Sequence, residues 1–484
     1  MRTHRLLPLI FALVSLLSPA SAQRIVPAQG SPGCIDLSAL GKGSYAVLTC
    51  LWDFWPNRFV DPKVASLGKA PMEVMATAHW NQLNSRELST TGFATYHLRV
   101  LGLPPGKLLG LKITCPLSAA RVFVDGNEVL AMGVPGKSAS DEVPRWDSAV
   151  VAISSGTGTS DIVIHVSNYV DFSGGLTTPI LLGDYKAVWA VRTSLVTLEM
   201  FELGALAIIG FYLILVFAFR PTEKYALLFG LLSLVLAFRT LCYDEFVLLT
   251  FFPRLPFPIL FRAGYLTFSL PFALLAGFFR QLFPRYMPAW LSIAVAIFSA
   301  IFSAFIVFAP LHLVTISLLP AEMVAIAYLA YILFILVRAL IDRHPGSGLI
   351  LLGLLLFAIP MIHDILVING DLKGEYIAPF GTILFFLTLA FMISRNSAKA
   401  LRSREVVFVK EDRERLSLSE KGLSATEIAY AMALIGGTSV KGIAFKHEVS
   451  ESTVRNSLAR IYVKLGVSSM AAFMSLASRC DIGP

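Results

Sequence analysis

FELGALAIIGFYLILVFAF, Phe201–Phe219, is a run of nineteen residues with one charged side chain, Glu202, near its start. A hydrocarbon core about 30 Å thick is crossed by about 20 apolar residues in a helix, so this run is long enough to span a bilayer. Six more follow at 225–242, 257–279, 288–309, 312–337, 348–368 and 376–394. A soluble bundle is the competing reading, but seven successive runs of membrane length with few charges argue against it. In lipid each such run satisfies its own backbone hydrogen bonds as a helix. Composition agrees: 56% of the 484 residues are apolar, 15% are charged, and mean hydropathy is +0.70. Such a chain belongs in a membrane.

The lysines and arginines give the bundle a direction. If the residues before the first run lie outside, the inner loops carry Arg220 and Lys224, then Arg280 and Arg285, then Arg338 and Arg343, and finally Arg395, Lys399, Arg402 and Arg404. The outer loops carry mainly Arg254 and Lys373. This is the positive-inside asymmetry. The N-terminus points the same way: MRTHR, the apolar LLPLIFALVSLL and the small residues Ala20-Ser21-Ala22 read as an export signal over 1–22, cleaved before Gln23. The expected location is a bacterial inner membrane, with residues 23–190 periplasmic, 199–395 spanning and the C-terminus cytoplasmic.

Residues 23–190 read as β-structure. TYHLRVLGL, LGLKITC, ARVFVDGNEVLAMG and SDIVIHVSNYV are short alternating or β-branched runs cut by Gly, Pro and Asn/Asp, a spacing that suits a sandwich. In VFVDGNEVL, Asp125-Gly126 sits between two strand-like runs and predicts a tight hairpin. Cys34, Cys50 and Cys115 lie in this part, Cys242 at a membrane edge and Cys480 near the C-terminus. An oxidising compartment permits one bridge among the first three, Cys34 to Cys50 closing the shortest loop, and an odd count equally permits a free thiol. No metal-ligand spacing and no cofactor motif occurs.

VLTCLWDFWPNRFVDP, TGFATYHLRV, RVFVDGNEVLAMG and VIHVSNYVDFSGGL, in that order, resemble the periplasmic jelly-roll sensor of bacterial seven-transmembrane receptors with diverse intracellular signalling modules. The resemblance covers roughly residues 45 to 395. It implies a jelly-roll ectodomain that senses a small molecule, carbohydrates among the candidates. Trp52 and Trp55 are then ligand candidates, because indole faces complement sugar rings, with core packing the competing role. His79, Trp80 and Asn168 have no assigned place.

Ionisable residues inside the runs gather toward the outer side: Arg239, Asp244, Glu245, Glu322, His363 and Asp364. Such groups are costly at membrane depth and are commonly paired or functional. Arg239, Glu322 and His363 are therefore candidates for coupling the sensor to the bundle, with Glu322 the main member. For Asp244, Glu245 and Asp364, simple contact with headgroup water competes.

After the last run, residues 396–417 are polar and mixed in charge and read as a linker. Residues 418–484 read as four short helices. Ser424 with Glu427 makes a capping box, Gly436-Gly437 ends the first helix, Lys441 to Lys446 form the second, and Ser450 with Thr453 starts the third. Val454, Leu458, Ile461 and Leu465 form its core stripe. The other face carries Ser452, Arg455, Asn456, Ala459 and Val463, with Arg460 and Lys464 on the shoulders. Arg and Asn can pair with guanine and adenine edges in the major groove. A solvated charged face is the alternative.

LSATE, GTSVKGIA, SESTVRNSLARIYVKLG and VSS match in order and spacing the DNA-binding domain of LuxR-type regulators, which this segment resembles over about 60 residues. The resemblance implies that Lys441 and Thr453 hold phosphates, Arg455 and Asn456 face bases, Lys464 adds a backbone contact, and Met470, Phe473, Met474 and Ala477 offer a dimer face. The family commonly has Arg at Thr426, Glu at Gly442 and His at Ser457, and often a basic residue at Ala459. Seven Lys/Arg against five Asp/Glu in 418–484 leave little charge for phosphates, so a homodimer on double-stranded DNA is expected.

These readings make a multidomain membrane protein: a β-sandwich (jelly roll) ectodomain, a seven-helix transmembrane bundle and an all-α helix-turn-helix domain. Its expected role is a one-component receptor and transcriptional regulator whose partners are DNA, lipid and a small-molecule ligand. A protein-interaction module at the C-terminus is the alternative. A transporter would show matching broken halves, and an enzyme would show a catalytic constellation.

Overall fold

The computed structural model describes residues 24–26, 29–65, 68–83, 90–115, 119–154, 156–368 and 377–479. The leader expected at 1–22, Lys373 and Cys480 lie outside the described residues. The chain divides into two compact units, Met1–Met392 and Ile393–Pro484.

The first unit begins with a two-sheet sandwich. Its strands are β1 (Arg24–Ile25), β2 (Gln29–Ser31), β3 (Cys34–Asp36), β4 (Ser44–Val47), β5 (Leu51–Pro56), β6 (Met72–Met75), β7 (Gly92–Leu101), β8 (Leu108–Cys115), β9 (Ala119–Val124), β10 (Asn127–Met132), β11 (Asp147–Ser154), β12 (Ser160–Asn168) and β13 (Leu181–Asp184). One sheet runs β1-β4-β13-β8-β11; the other runs β10-β9-β12-β7-β3-β2, with β5 bridging β7 and β6. Period-two alternation builds the core: Tyr96, Leu98 and Val100 of β7, Ile162 and Ile164 of β12, and Leu109, Leu111 and Ile113 of β8 are all buried in one cluster. The β9–β10 hairpin turns at Asp125 (φ 51°) and Gly126 (φ 80°), as the sequence predicts. Two consecutive positive φ values define the turn that matches strand twist.

No joint separates sandwich from bundle. β13 ends at Asp184, whose side chain accepts from the Lys186 backbone N–H at 3.0 Å and caps a 35-residue helix, α1 (Tyr185–Phe219). At 1.5 Å per residue α1 is about 52 Å long, more than a bilayer core needs, so its first turns belong to the sandwich. Gly110 of β8 permits this: a Cβ there would sit 3.1 Å from Val188 Cβ.

The other spans are α2 (Lys224–Cys242), α3 (Phe257–Leu282), α4 (Ala289–Phe308), α5 (Leu311–Ile341, broken at Ser317), α6 (Ser347–Ile368) and α7 (Ala378–Glu420). All seven are long and apolar enough to cross a membrane. α1 and α2 approach closely at Gly210 and Gly230, where a Cβ on Gly230 would lie 2.9 Å from the Gly210 carbonyl oxygen. The linker expected at 396–417 is helical, since α7 continues to Glu420.

The second unit holds α8 (Ala425–Ile435), α9 (Val440–Lys446), α10 (Glu451–Leu465) and α11 (Met470–Arg479). They close over Tyr430, Leu434, Ile443, Val454, Leu458, Ile461 and Phe473.

Candidate nucleic-acid interface and the seam between sandwich and bundle

Local sequence sets the ends of each helix in the second unit. Ser424 and Glu427 form the reciprocal capping box, with Ser424 N–H donating to Glu427 Oε2 at 2.8 Å. Ser439 caps α9 and Ser450 caps α10, and Gly466 ends α10 in the left-handed region at φ 65°. Val454, Leu458 and Ile461 are buried, and Ser452, Thr453, Arg455, Asn456, Ala459 and Val463 are exposed. α10 therefore turns the expected face to solvent. Lys441, at the start of α9, is exposed too.

The flanking cations behave differently. Lys464 Nζ donates to Glu427 Oε2 at 2.6 Å and to the Gly422 carbonyl at 3.0 Å. Glu427 is buried, and Lys464, itself exposed, is tied back to it and to the Gly422 carbonyl. Arg460 Nη2 donates back to the buried Ser457 Oγ at 3.2 Å while remaining exposed. Arg455 stands 3.6 Å from Glu451 in a solvent-facing pair, weak enough to exchange for another partner. The expected dimer face also needs correction. Phe473 is 2% exposed and belongs to the core beside Tyr462, while Met470 is a large exposed apolar side chain of α11.

In the first unit, the outward face of β8 meets the bundle. Lys112, seated among side chains, places Nζ 2.7 Å from Glu245 Oε1 in the α2–α3 connection. Glu245 Oε2 accepts from Ser148 Oγ of β11 at 2.8 Å and lies 3.3 Å from Arg192 Nε of α1. The Glu245 backbone N–H donates to Glu199 Oε1 at 3.2 Å. One carboxylate thus joins both outward strands, α1 and the α2–α3 connection.

Beside it, Trp146 enters an aromatic cup formed by Tyr243, Phe246, Phe257, Phe261 and Tyr265, with ring centroids 5.5 to 6.5 Å away. Thr315, near the start of α5, donates to the Val170 carbonyl at 3.0 Å. The α2–α3 and α4–α5 connections therefore lie at the same end of the bundle, as an up-and-down arrangement requires.

The residues expected to couple the two parts are not brought together. Arg239 lies over the Tyr243 ring and donates to Thr267 Oγ1 at 3.4 Å. His363 pairs with Asp364 at 2.8 Å, and Asp364 accepts the Ile377 and Ala378 backbone N–H groups, capping α7. Glu322 is exposed on α5. Glu245 takes the central place because its carboxylate pairs directly with the strand cation Lys112.

Residues 196–396 match the family described as "7TM diverse intracellular signalling", and residues 421–477 match "Bacterial regulatory proteins, luxR family". The chain carries a seven-transmembrane signalling domain and a LuxR-type domain. No curated protein matches it. Among solved structures, a GH2 beta-galacturonidase from Eisenbergiella tayi bound to galacturonate is similar at 15% identity, over 29% of this chain and 24% of that one, with a TM-score of 0.22. A b-glucuronidase from Ruminococcus gnavus in complex with N1-substituted uronic isofagomine is similar at 12% identity, over 28% and 29%, also at 0.22. The chain thus spans under a third of either, and likenesses this slight carry no argument about fold or activity.

Preceding the signalling domain, the sandwich buries both tryptophans proposed for a ligand. Trp52 is 0% exposed in the main core, and Trp55 is closed off with Val60, Ala65 and Val163. Neither offers a ring face, because β5 lies between β7 and β6 and the 57–65 segment covers Trp55. Trp80 is also core, donating Nε1–H to Tyr96 Oη at 2.7 Å. Asn168 shapes the loop after β12 by bonding Thr90 and Asp171 backbone groups, and His79 meets Ser173 Oγ. Cys34 and Cys50 are neighbours, yet both are free thiols. Burial, and then the nearby Cys34, pushes Cys50 up to about 11.

Proposed function

We propose that the chain is a one-component receptor whose LuxR-type domain binds double-stranded DNA and whose sandwich senses a small molecule outside the cytosol. The observation that carries this reading is the solvent-facing Arg455 and Asn456 near the N-terminus of α10, where helix-turn-helix proteins place their base readers. Lys441 and Thr453 flank them as phosphate contacts, and Arg460 is a further one once it leaves Ser457. With Lys464 committed internally, few cations remain for phosphates, which favours two domains acting together on two half-sites. Chromatin immunoprecipitation of the full-length protein against Arg455→Ala tests this: sequence-specific peaks lost in the variant support it, and no peaks in either refutes it.

In the same reading, the sandwich lies on the outer side and the signal enters the bundle through Glu245. Any ligand-driven shift of β8 or β11 must move or break the Lys112 and Ser148 contacts. Arg192 and Glu199, both on α1, stand on the other side of that carboxylate.

A second reading, a protein-interaction module, draws on the same shortage of free cations. It predicts that Arg455→Ala leaves the domain's partners unchanged.

A further inference from the structure

Beyond general DNA binding, and resting on that reading, the structure points to which base the middle of α10 recognises. We infer that Ala459, with Val463 beside it, reads the 5-methyl group of a thymine in the major groove. The position follows from helix geometry. Ala459 lies one turn beyond Arg455, rotated by about 40° and advanced by about 6 Å, so both meet the same groove within about two base steps.

The chemistry follows from what surrounds it. The two neighbouring cations engage their charged ends elsewhere, Arg460 Nη2 on Ser457 Oγ and Lys464 Nζ on Glu427 and the Gly422 carbonyl. What remains is the exposed Ala459 methyl and Val463, which is 81% exposed. Ala459, Arg460, Val463 and Lys464 together line a shallow concavity on that face.

In the major groove an alanine methyl has a matching partner, since thymine alone among the four bases presents a methyl. Arg455 and Asn456 supply hydrogen bonds to a purine, and Ala459 supplies an apolar contact to a nearby thymine. The half-site is therefore a purine followed within about two steps by an A·T pair whose thymine methyl faces the helix.

The test uses the full-length protein in lipid nanodiscs, selecting from a random duplex library. The expected site has an invariant thymine near the purine whose identity is lost with Arg455→Ala. Replacing that thymine by deoxyuridine removes only the methyl and should weaken binding by about fourfold, the worth of one buried carbon. In Ala459→Gly the deoxyuridine effect should vanish, and Ala459→Gln, which keeps the helix, should move the preference toward adenine. An enriched site without the thymine, or one indifferent to deoxyuridine, overturns the inference while DNA binding stands. If no sequence is enriched, both fall.

Discussion

Lys112 of the sandwich and Glu245 of the α2–α3 connection meet at 2.7 Å, with 8% and 4% of their side chains exposed. Two charges so enclosed hold each other in place; without Glu245 the buried Lys112 loses its carboxylate, and without Lys112 the buried Glu245 keeps only the more exposed Arg192 at 3.3 Å.

Lys112→Met or Glu245→Gln should therefore each lower the stability of the first unit by about 3–5 kcal/mol, while the double variant should recover part of the loss. Thermal unfolding of the purified protein in detergent, run as a double-mutant cycle, gives the coupling. Strict additivity would show that the pair is not a unit.

Trp146→Ala should cost about 3–5 kcal/mol, because the ring fills an aromatic cup and leaves a cavity. Hydrogen exchange should rise in β11 and in 243–247 together. A rise confined to β11 would mean that the cup holds its shape without the plug.

Asp171, in the loop after β12, has its carboxyl pushed up from 3.8 to about 6 by burial, partly offset by the Ser173 N–H. The folded form keeps this proton where the unfolded chain has lost it. Stability should then fall as pH rises from about 4 to about 6 and level off above, a change of about 3 kcal/mol at most. Asp171→Asn should remove that slope from a pH series of melting temperatures.

Glu427 is held well below the usual carboxylate range, at about 2, first by the Lys464 hydrogen bond and then by the Ser424 N–H. Its contribution is present above the unfolded value of about 4.5 and is lost as pH falls toward 2. Lys464→Met should flatten acid unfolding of the LuxR-type domain in that window. It should also reduce stability at neutral pH, where the buried carboxylate would lose its cation. An unchanged acid limb would place the Glu427 stabilisation in the capping box instead.

Much of the architecture was legible in short stretches. Asp125-Gly126 marked its hairpin, Ser424 and Glu427 their capping box, and Val454, Leu458 and Ile461 the buried stripe of α10. Each is a local signal, carried by residues within a turn or two of one another. The seven apolar runs were equally plain, because lipid imposes one length on every span.

The seam and the fate of single charges were not legible. Lys112 sits at an outward strand position, where the pattern LGLKITC gives it the look of a solvated lysine. Only the meeting of β8 with a connection more than a hundred residues later encloses it. That Lys464 bonds Glu427, 37 residues earlier, has no local signal either. Phe473 looked like a dimer face until Tyr462 packed against it.

The sequence by itself determined the classes of the parts, a β-rich domain, seven spans and a helix-turn-helix, because hydrophobic period and run length are set by nearest neighbours along the chain. Which ionisable group lies at the seam between sandwich and bundle, Glu245 rather than Glu322, was decided only by tertiary structure. Burial and ion pairing depend on which distant surfaces close over a side chain, and no local pattern records that.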